Sequence, residues 1–220
     1  MGISQLLDQL LNSAAGATGT GRDDMGKYAT GAAVGGVLGM LLGSGSGRRM
    51  GGKVLKYGSV AALGAMAWKA YQEHQAQQQA ASGTVPRTAP AAAPAPLAAL
   101  PAPQQEAHGR ALLKAMIAAA KSDGHMDDRE RELVQSELNR VQADAETRQW
   151  VQAELNRPVE PADVAAAAAS PEMAAEIYLA SLLVVDETTT MERAYLDELA
   201  RQLRLAPALK ADLEARAVAA

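Results

Sequence analysis

The chain has 220 residues, no cysteine, no phenylalanine and 3% aromatic residues, so disulfides, thiolate catalysis and cysteine-ligated zinc are excluded. A core built from Leu, Val, Ile, Met and Ala favours packed helices over sheets, which prefer β-branched and aromatic side chains. The net charge of −4 conceals a split, because residues 1–80 carry seven basic and four acidic side chains, whereas residues 105–220 carry 13 basic and 21 acidic ones. The basic front part suits anionic membrane lipid, and the acidic back part argues against nucleic acid, whose phosphates need clustered Lys and Arg.

Residues 1–24 are predicted to form an amphipathic helix followed by a loop. Apolar side chains recur there at helical spacing: Ile3, Leu6, Leu7, Leu10 and Leu11. A stretch rich in Gly, Ala and Thr follows them, to about Asp24. No secretory signal peptide is expected, because the extreme N-terminus lacks a positive charge.

Residues 25–71 are predicted to be a Gly-rich, membrane-associated segment. No charged residue occurs from Tyr28 to Gly47, a length sufficient to cross a bilayer. Glycines recur every four residues within it and would share one helical face: Gly31, Gly35, Gly39 and Gly43. Such a glycine zipper lets a second helix approach closely, so a homo-oligomer is expected. The alternative is a flexible Gly-rich linker, although linkers favour Ser and polar residues over the Val, Leu and Met found here.

The residues after this span are predicted to lie at a membrane surface. The basic side chains there are Arg48, Arg49, Lys53 and Lys56. By the positive-inside rule they place the following chain in the cytoplasm. A second apolar stretch, Tyr57 to Trp68, either lies in the interface with Trp68 at headgroup depth or returns across the membrane as a hairpin. The single crossing is preferred.

Residues 72–105 are predicted to be an Ala/Pro linker. Its polar beginning continues a helix to Ala81, and six prolines then favour an extended polyproline spacer. The linker would hold the C-terminal domain away from the bilayer.

Residues 106–220 are predicted to form one compact all-α domain of seven helices. Pro161 and Pro171 each open a helix, since proline is tolerated in a first turn. The run from Ile177 to Val185 is apolar nearly all round and should be the central buried helix. A faint repeat places an acidic residue at the end of one helix and another at the start of its successor, first around Asp123 and again around Asp186.

Two segments carry a family resemblance. Lys-Ser-Asp-Gly-His-Met-Asp-Asp-Arg-Glu-Arg-Glu-Leu (121–133) resembles the signature of the TerB-like domain of tellurite-resistance proteins. Val-Asp-Glu-Thr-Thr-Thr-Met-Glu-Arg-Ala-Tyr-Leu-Asp-Glu-Leu-Ala (185–200) resembles the closing motif of their YebE-type inner-membrane branch. The resemblance implies a seven-helix fold with pseudo-twofold halves, an inner-membrane location and an association with metal or tellurite stress. It also implies a divalent cation, such as calcium, held by carboxylates at the two turns: Asp123, Asp127, Glu130, Asp186 and Glu192.

Capping is the competing interpretation of these acidic turns. Carboxylates before a helix satisfy free N–H groups and the helix dipole, and Thr190 would cap the helix that follows Asp186. Calcium needs several oxygen ligands, and two facing turns could supply four or five carboxylates. The spacing is not that of an EF-hand.

These patterns predict a membrane-anchored binding or scaffold protein in envelope or metal stress, binding a cation or a protein partner, and not an enzyme. No nucleophile elbow or phosphate-binding loop is present in the sequence. A metal-dependent hydrolase using the acidic turns is one alternative. A membrane-perturbing or pore-forming oligomer of the glycine zipper is another.

Overall fold

The computed structural model describes residues 2–7, 60–81, 100–124, 128–185 and 189–219. Within these ranges the chain forms nine helices and no strand, so the prediction of an all-α protein is confirmed. The helices are α1 (residues 3–7), α2 (Val60–Ala81), α3 (Ala102–Ala120), α4 (Asp128–Arg140), α5 (Ala145–Asn156), α6 (Pro161–Ala165), α7 (Pro171–Val184), α8 (Thr190–Gln202) and α9 (Pro207–Ala219).

Helix α7 is the centre of the fold, as its sequence predicts. Ser170 caps its N-terminus by accepting a hydrogen bond from the Met173 amide at 3.2 Å, and Pro171 occupies its first turn. Every residue from Ala174 to Val184 is buried. Helices α2, α3, α8 and α9 all pack against it. Each large apolar side chain buried in this way contributes about 1.5–3 kcal/mol to folding.

Helix α3 organises one side of the core. Pro103 lies in its first turn, where the missing N–H costs nothing. Its apolar face, including Leu112, Met116 and Ile117, is buried, and the helix contacts α5, α6 and α7. Asp144 is the N-cap of α5, and its carboxylate accepts a hydrogen bond from the Thr147 amide at 2.7 Å.

Helix α2 packs on protein. For residues 60–68, the described part of the stretch that ends at Trp68, this corrects the expectation that they lie in a membrane interface or cross the bilayer. Leu63, Ala67 and Ala70 are buried in the common core, and the helix contacts α7 and α9. The small alanines allow close approach of these helices. At the outer end of the contact, Glu73 forms an ion pair with Arg216 of α9.

The N-terminal helix α1 belongs to the same core. Ile3, Leu6 and Leu7 are at most 2% exposed, so the amphipathic pattern is satisfied by protein contacts. The core therefore extends beyond the predicted domain of residues 106–220, because α1 and α2 both cover it. The helix predicted over residues 3–12 is described only as far as residue 7.

The expected inner-membrane location is contradicted. Across the described ranges, no helix is both long enough and apolar enough to span a bilayer. The glycine face, Gly31, Gly35, Gly39 and Gly43, lies outside the described residues, as does the basic cluster Arg48, Arg49, Lys53 and Lys56. Trp68 lies on α2, half-buried, with its ring centroid 6.3 Å from that of Tyr71.

Replacing Leu63 with alanine tests the packing of α2. Because Leu63 is 2% exposed, L63A should lower the free energy of unfolding by about 2–4 kcal/mol. The matched control is Gln77→Ala on the exposed part of the same helix, which should change it by less than about 0.5 kcal/mol. Chemical denaturation followed by circular dichroism measures both, and equal effects of the two changes would contradict the packing.

Candidate functional site

The first predicted acidic turn follows α3 directly. The Ser122 hydroxyl donates to the carbonyl of Ala119 at 2.7 Å and is buried. Gly124 has a φ of 85°, in the left-handed region that glycine enters without strain. Its amide donates to the carbonyl of Lys121 at 3.0 Å. The chain therefore leaves α3 through a tight, glycine-dependent turn that places Asp123 half-buried between Ser122 and Gly124.

Lys121 ties this turn to the end of α5. Its ammonium donates to the carbonyl of Glu154 at 3.1 Å and also to that of Arg157. Cations stabilise the C-terminus of a helix, where carbonyls lack intrahelical partners. Burial lowers the pKa of Lys121, and the nearby charge of Arg131 lowers it further. Lys121, the first residue of the motif, thus holds the end of α3 against the end of α5.

The second acidic turn ends in a capping box at the start of α8. The Thr189 hydroxyl accepts from the Glu192 amide at 3.1 Å, and Glu192 Oε2 accepts from the Thr189 amide at 3.0 Å. Thr189 is therefore the N-cap, one residue before the Thr190 that the sequence suggested. Glu192, a predicted metal ligand, has one carboxylate oxygen engaged in capping.

Gly124 in the first turn lies close to Met191 at the start of α8. A Cβ placed on Gly124 would be 3.2 Å from the terminal methyl carbon of Met191, the second residue of α8. Gly124 and Met191 are the chain neighbours of Asp123 and Glu192, so these two predicted ligands lie in the same region of the fold. Asp127, Asp186 and the side chain of Glu130 lie outside the described part of the structure. Among the residues that are described, no three acidic or histidine side chains cluster as metal ligands would.

A buried acid–histidine pair lies elsewhere, at the junction of α2, α3 and α7. Glu176 is 7% exposed on the central helix, and its Oε2 is 2.9 Å from Nε2 of His108 on α3. The two atoms approach off the line of a well-aligned hydrogen bond, so the contact is best described as a close ion pair when the imidazole is protonated. A carboxylate in an apolar core needs such a partner, because an unpaired buried charge is very costly.

Gly64 of α2 makes room for this pair. A Cβ at Gly64 would be only 3.1 Å from Oε1 of Glu176. Glycine thus lets α2 cross the central helix at the point where the carboxylate lies. Sequence reasoning missed the pair, although one signal was present: Glu176 is the one charged residue between Met173 and Val184. Nothing in the sequence associates it with His108, which is 68 positions away.

A cleft between α3 and the α5–α6 connection contains further charged groups. Lys114 donates to the carbonyl of Asp163 at 3.0 Å. Arg157 pairs with Glu154 at 3.4 Å and with Asp163 at 3.6 Å. These charges hold α5 and α6 on α3, so their evident role is structural.

Comparison with known proteins bears on the whole chain. Residues 27–217 match the profile described as "Protein of unknown function (DUF533)", which covers most of the sequence. The chain belongs to the DUF533 family. This family is TerB-like, in agreement with the resemblance of residues 121–133, and no catalytic family is indicated.

One curated relative of this DUF533 chain is a protein of Yersinia enterocolitica. It is named "Uncharacterized protein in ampR 5'region" and is 29% identical over 94 residues, which cover 43% of this chain and 68% of the relative. No solved structure matches the chain significantly.

Removal of the α8 cap should be measurable. Thr189→Ala removes the hydroxyl that accepts from the Glu192 amide, so the free energy of unfolding should fall by about 1 kcal/mol. Thr190→Ala, one residue along, is the matched control and should change it by less than about 0.5 kcal/mol. Denaturant titration of both variants checks the assignment, and a larger loss for T190A would overturn it.

A double-mutant cycle tests the contact between Gly64 and Glu176. Alanine in place of a helical glycine normally adds about 0.5–1 kcal/mol of stability, but at Gly64 the new methyl would press on a carboxylate held by His108. Gly64→Ala should therefore destabilise the protein by roughly 1 kcal/mol. In a Glu176→Ala background the same change should become neutral or stabilising. Equal effects in both backgrounds, measured by denaturation, would rule the contact out.

Proposed function

We propose that this DUF533 protein is a non-enzymatic, acidic helical binding module whose paired turns hold a divalent cation. The observation that supports the proposal is the contact of Gly124 with Met191, which sets the turn containing Asp123 beside the first turn of α8. Carboxylates from both turns can then face one ion.

Capping and coordination are compatible at Glu192. Both hydrogen bonds from Thr189 end on Oε2, so Oε1 is left to serve as a ligand oxygen. Ca²⁺ takes six to eight oxygens, from carboxylates, backbone carbonyls and water. Asp123, Asp127, Glu130 and Asp186 are the further carboxylates of the proposed site.

The finer family assignment belongs to the same proposal. The resemblance to TerB-like domains supports a seven-helix unit formed by α3 to α9, with the two acidic turns related by a pseudo-twofold axis. The similarity of residues 185–200 to the YebE-type branch supports placing the chain near that branch. A role in metal or tellurite stress follows from the same resemblance.

A protein partner fits the same face. Met191 is 55% exposed directly beside the turns, and residues 105–220 have an excess of eight acidic residues. An exposed methionine on an acidic domain suits a partner that combines basic residues with an apolar contact. In this scheme the cation and the partner bind the same face of the domain.

Isothermal titration of the full chain with Ca²⁺, Mg²⁺ and Zn²⁺ tests the cation site. Binding with a Kd from micromolar to millimolar is expected for at least one ion. Asp123→Asn and Asp186→Asn should each weaken it about tenfold or more, because each removes a charged ligand, whereas the exposed Asp128→Asn at the start of α4 is the control and should leave it unchanged. Absence of heat with all three ions at millimolar concentration would leave capping as the whole role of these residues.

A further inference from the structure

The N-terminal helix α1 is held by a side chain more than 100 positions away. Glu106 Oε1 accepts from the Ile3 amide at 2.9 Å, and Oε2 accepts from the Ser4 amide and the Ser4 hydroxyl, both at 3.3 Å. The first amides of a helix have no intrahelical acceptor. A carboxylate on α3 thus provides the cap that the chain before α1 would ordinarily supply.

Arg110 helps to position the carboxylate of Glu106. Arg110 lies one turn along α3, with its Nε 3.6 Å from Glu106 Oε1 and its Nη2 2.6 Å from Oε1 of Glu146. The guanidinium also lies 6.0 Å from the ring centroid of Trp150. Partial burial acts to raise the pKa of Glu106, but the hydrogen bonds from Ile3 and Ser4 and the charge of Arg110 hold it below its ordinary value.

The surface beneath α1 is shaped for close backbone contact. A Cβ at Gly109 would lie 3.0 Å from Cα and 3.2 Å from the amide nitrogen of Ser4. Only glycine at this position lets the helix backbone rest directly on α3. The apolar side chains Ile3 and Leu7 are fully buried beside it. We call the surface of α3 around Glu106 and Gly109, on which α1 packs, the α1 groove.

We propose that the α1 groove is a binding site for an amphipathic helix and accepts residues 3–7 of a second copy of the chain. Its chemistry recognises free helix amides through Glu106 and a close backbone through Gly109. The occupant is defined by the structure itself, since an identical segment from another molecule makes identical contacts. Exchange of such an element between protomers is the usual route to a swapped dimer.

The length of the intervening chain permits this exchange. Residues 8–59 separate α1 from α2, and 52 residues can span at most about 170–190 Å. The helices of the core are far shorter, since 14 residues of α7 extend roughly 21 Å. Connection length therefore does not confine α1 to its own groove. The intramolecular contact has the higher effective concentration in dilute protein, so the swapped form should grow as protein concentration rises.

Energy transfer between full-length chains tests the proposal. The chain has no cysteine, so Gln5→Cys, exposed on α1, and Ala107→Cys, exposed beside Glu106, can be labelled specifically. One chain carries a donor at position 5 and another carries an acceptor at position 107. The two labelled chains are mixed at total concentrations from about 1 µM to about 1 mM, the upper value being on the order of the effective concentration of a tethered segment. Energy transfer should appear and rise with concentration. Excess unlabelled chain should suppress it.

Two variants separate groove binding from association elsewhere. Leu7→Asp on the donor chain should abolish transfer, and Glu106→Gln on the acceptor chain should reduce it severalfold. Glu132→Gln, the same change at an exposed position of α4, should leave it unaltered. A single chain labelled at both positions reports docking within one molecule. The proposal is overturned if that chain shows α1 docked while mixed chains show no transfer, or if transfer survives both Leu7→Asp and Glu106→Gln.

Discussion

The burial of α7 on every side, from Ala174 to Val184, is the constraint on which the rest of this structure depends. A helix with apolar residues on every side must be covered on every side, and α2, α3, α8 and α9 do so. The one carboxylate that it carries into the core, Glu176, adds a second requirement. It needs a charge partner from α3, His108, and a glycine on α2. The central helix thus determines that four helices must pack around it, and Glu176 determines where α2 and α3 cross it.

The sequence predicted those parts of the fold whose determinants are local. Pro171 and the apolar run behind it located α7, and Pro161 located α6. Periodicity found the apolar face of α1, and the apolar stretch that ends at Trp68 located part of α2. Neither pattern shows whether lipid or protein covers the apolar side chains. Leu63 and Leu7 look the same in either setting. The contacts that decide, such as Glu73 with Arg216, join residues 143 positions apart.

The candidate sites show the same difference between features set by neighbouring residues and features set by long-range contacts. The acidic turns were predicted because capping residues and helix ends are neighbours in the chain, and the error at Thr190 is a shift of one residue. The pair of Glu176 with His108 depends on the relative rotation of two helices, which a single sequence does not specify. The hydrogen bonds from α1 to Glu106 likewise depend on how two helices distant in the chain are placed.

The distant cap on α1 also constrains the order in which the protein folds. Even over the ten residues predicted for it, 3–12, this helix would not persist alone in water, because nucleation outweighs the few hydrogen bonds gained. Its amides find their acceptor only after α3 has formed and been brought next to it across a closed loop of about 100 residues, which is slow to close. Residues 3–7 should join the fold last and leave it first. The N-terminus then behaves as a separately opening unit, with amide hydrogen exchange faster than that of α7.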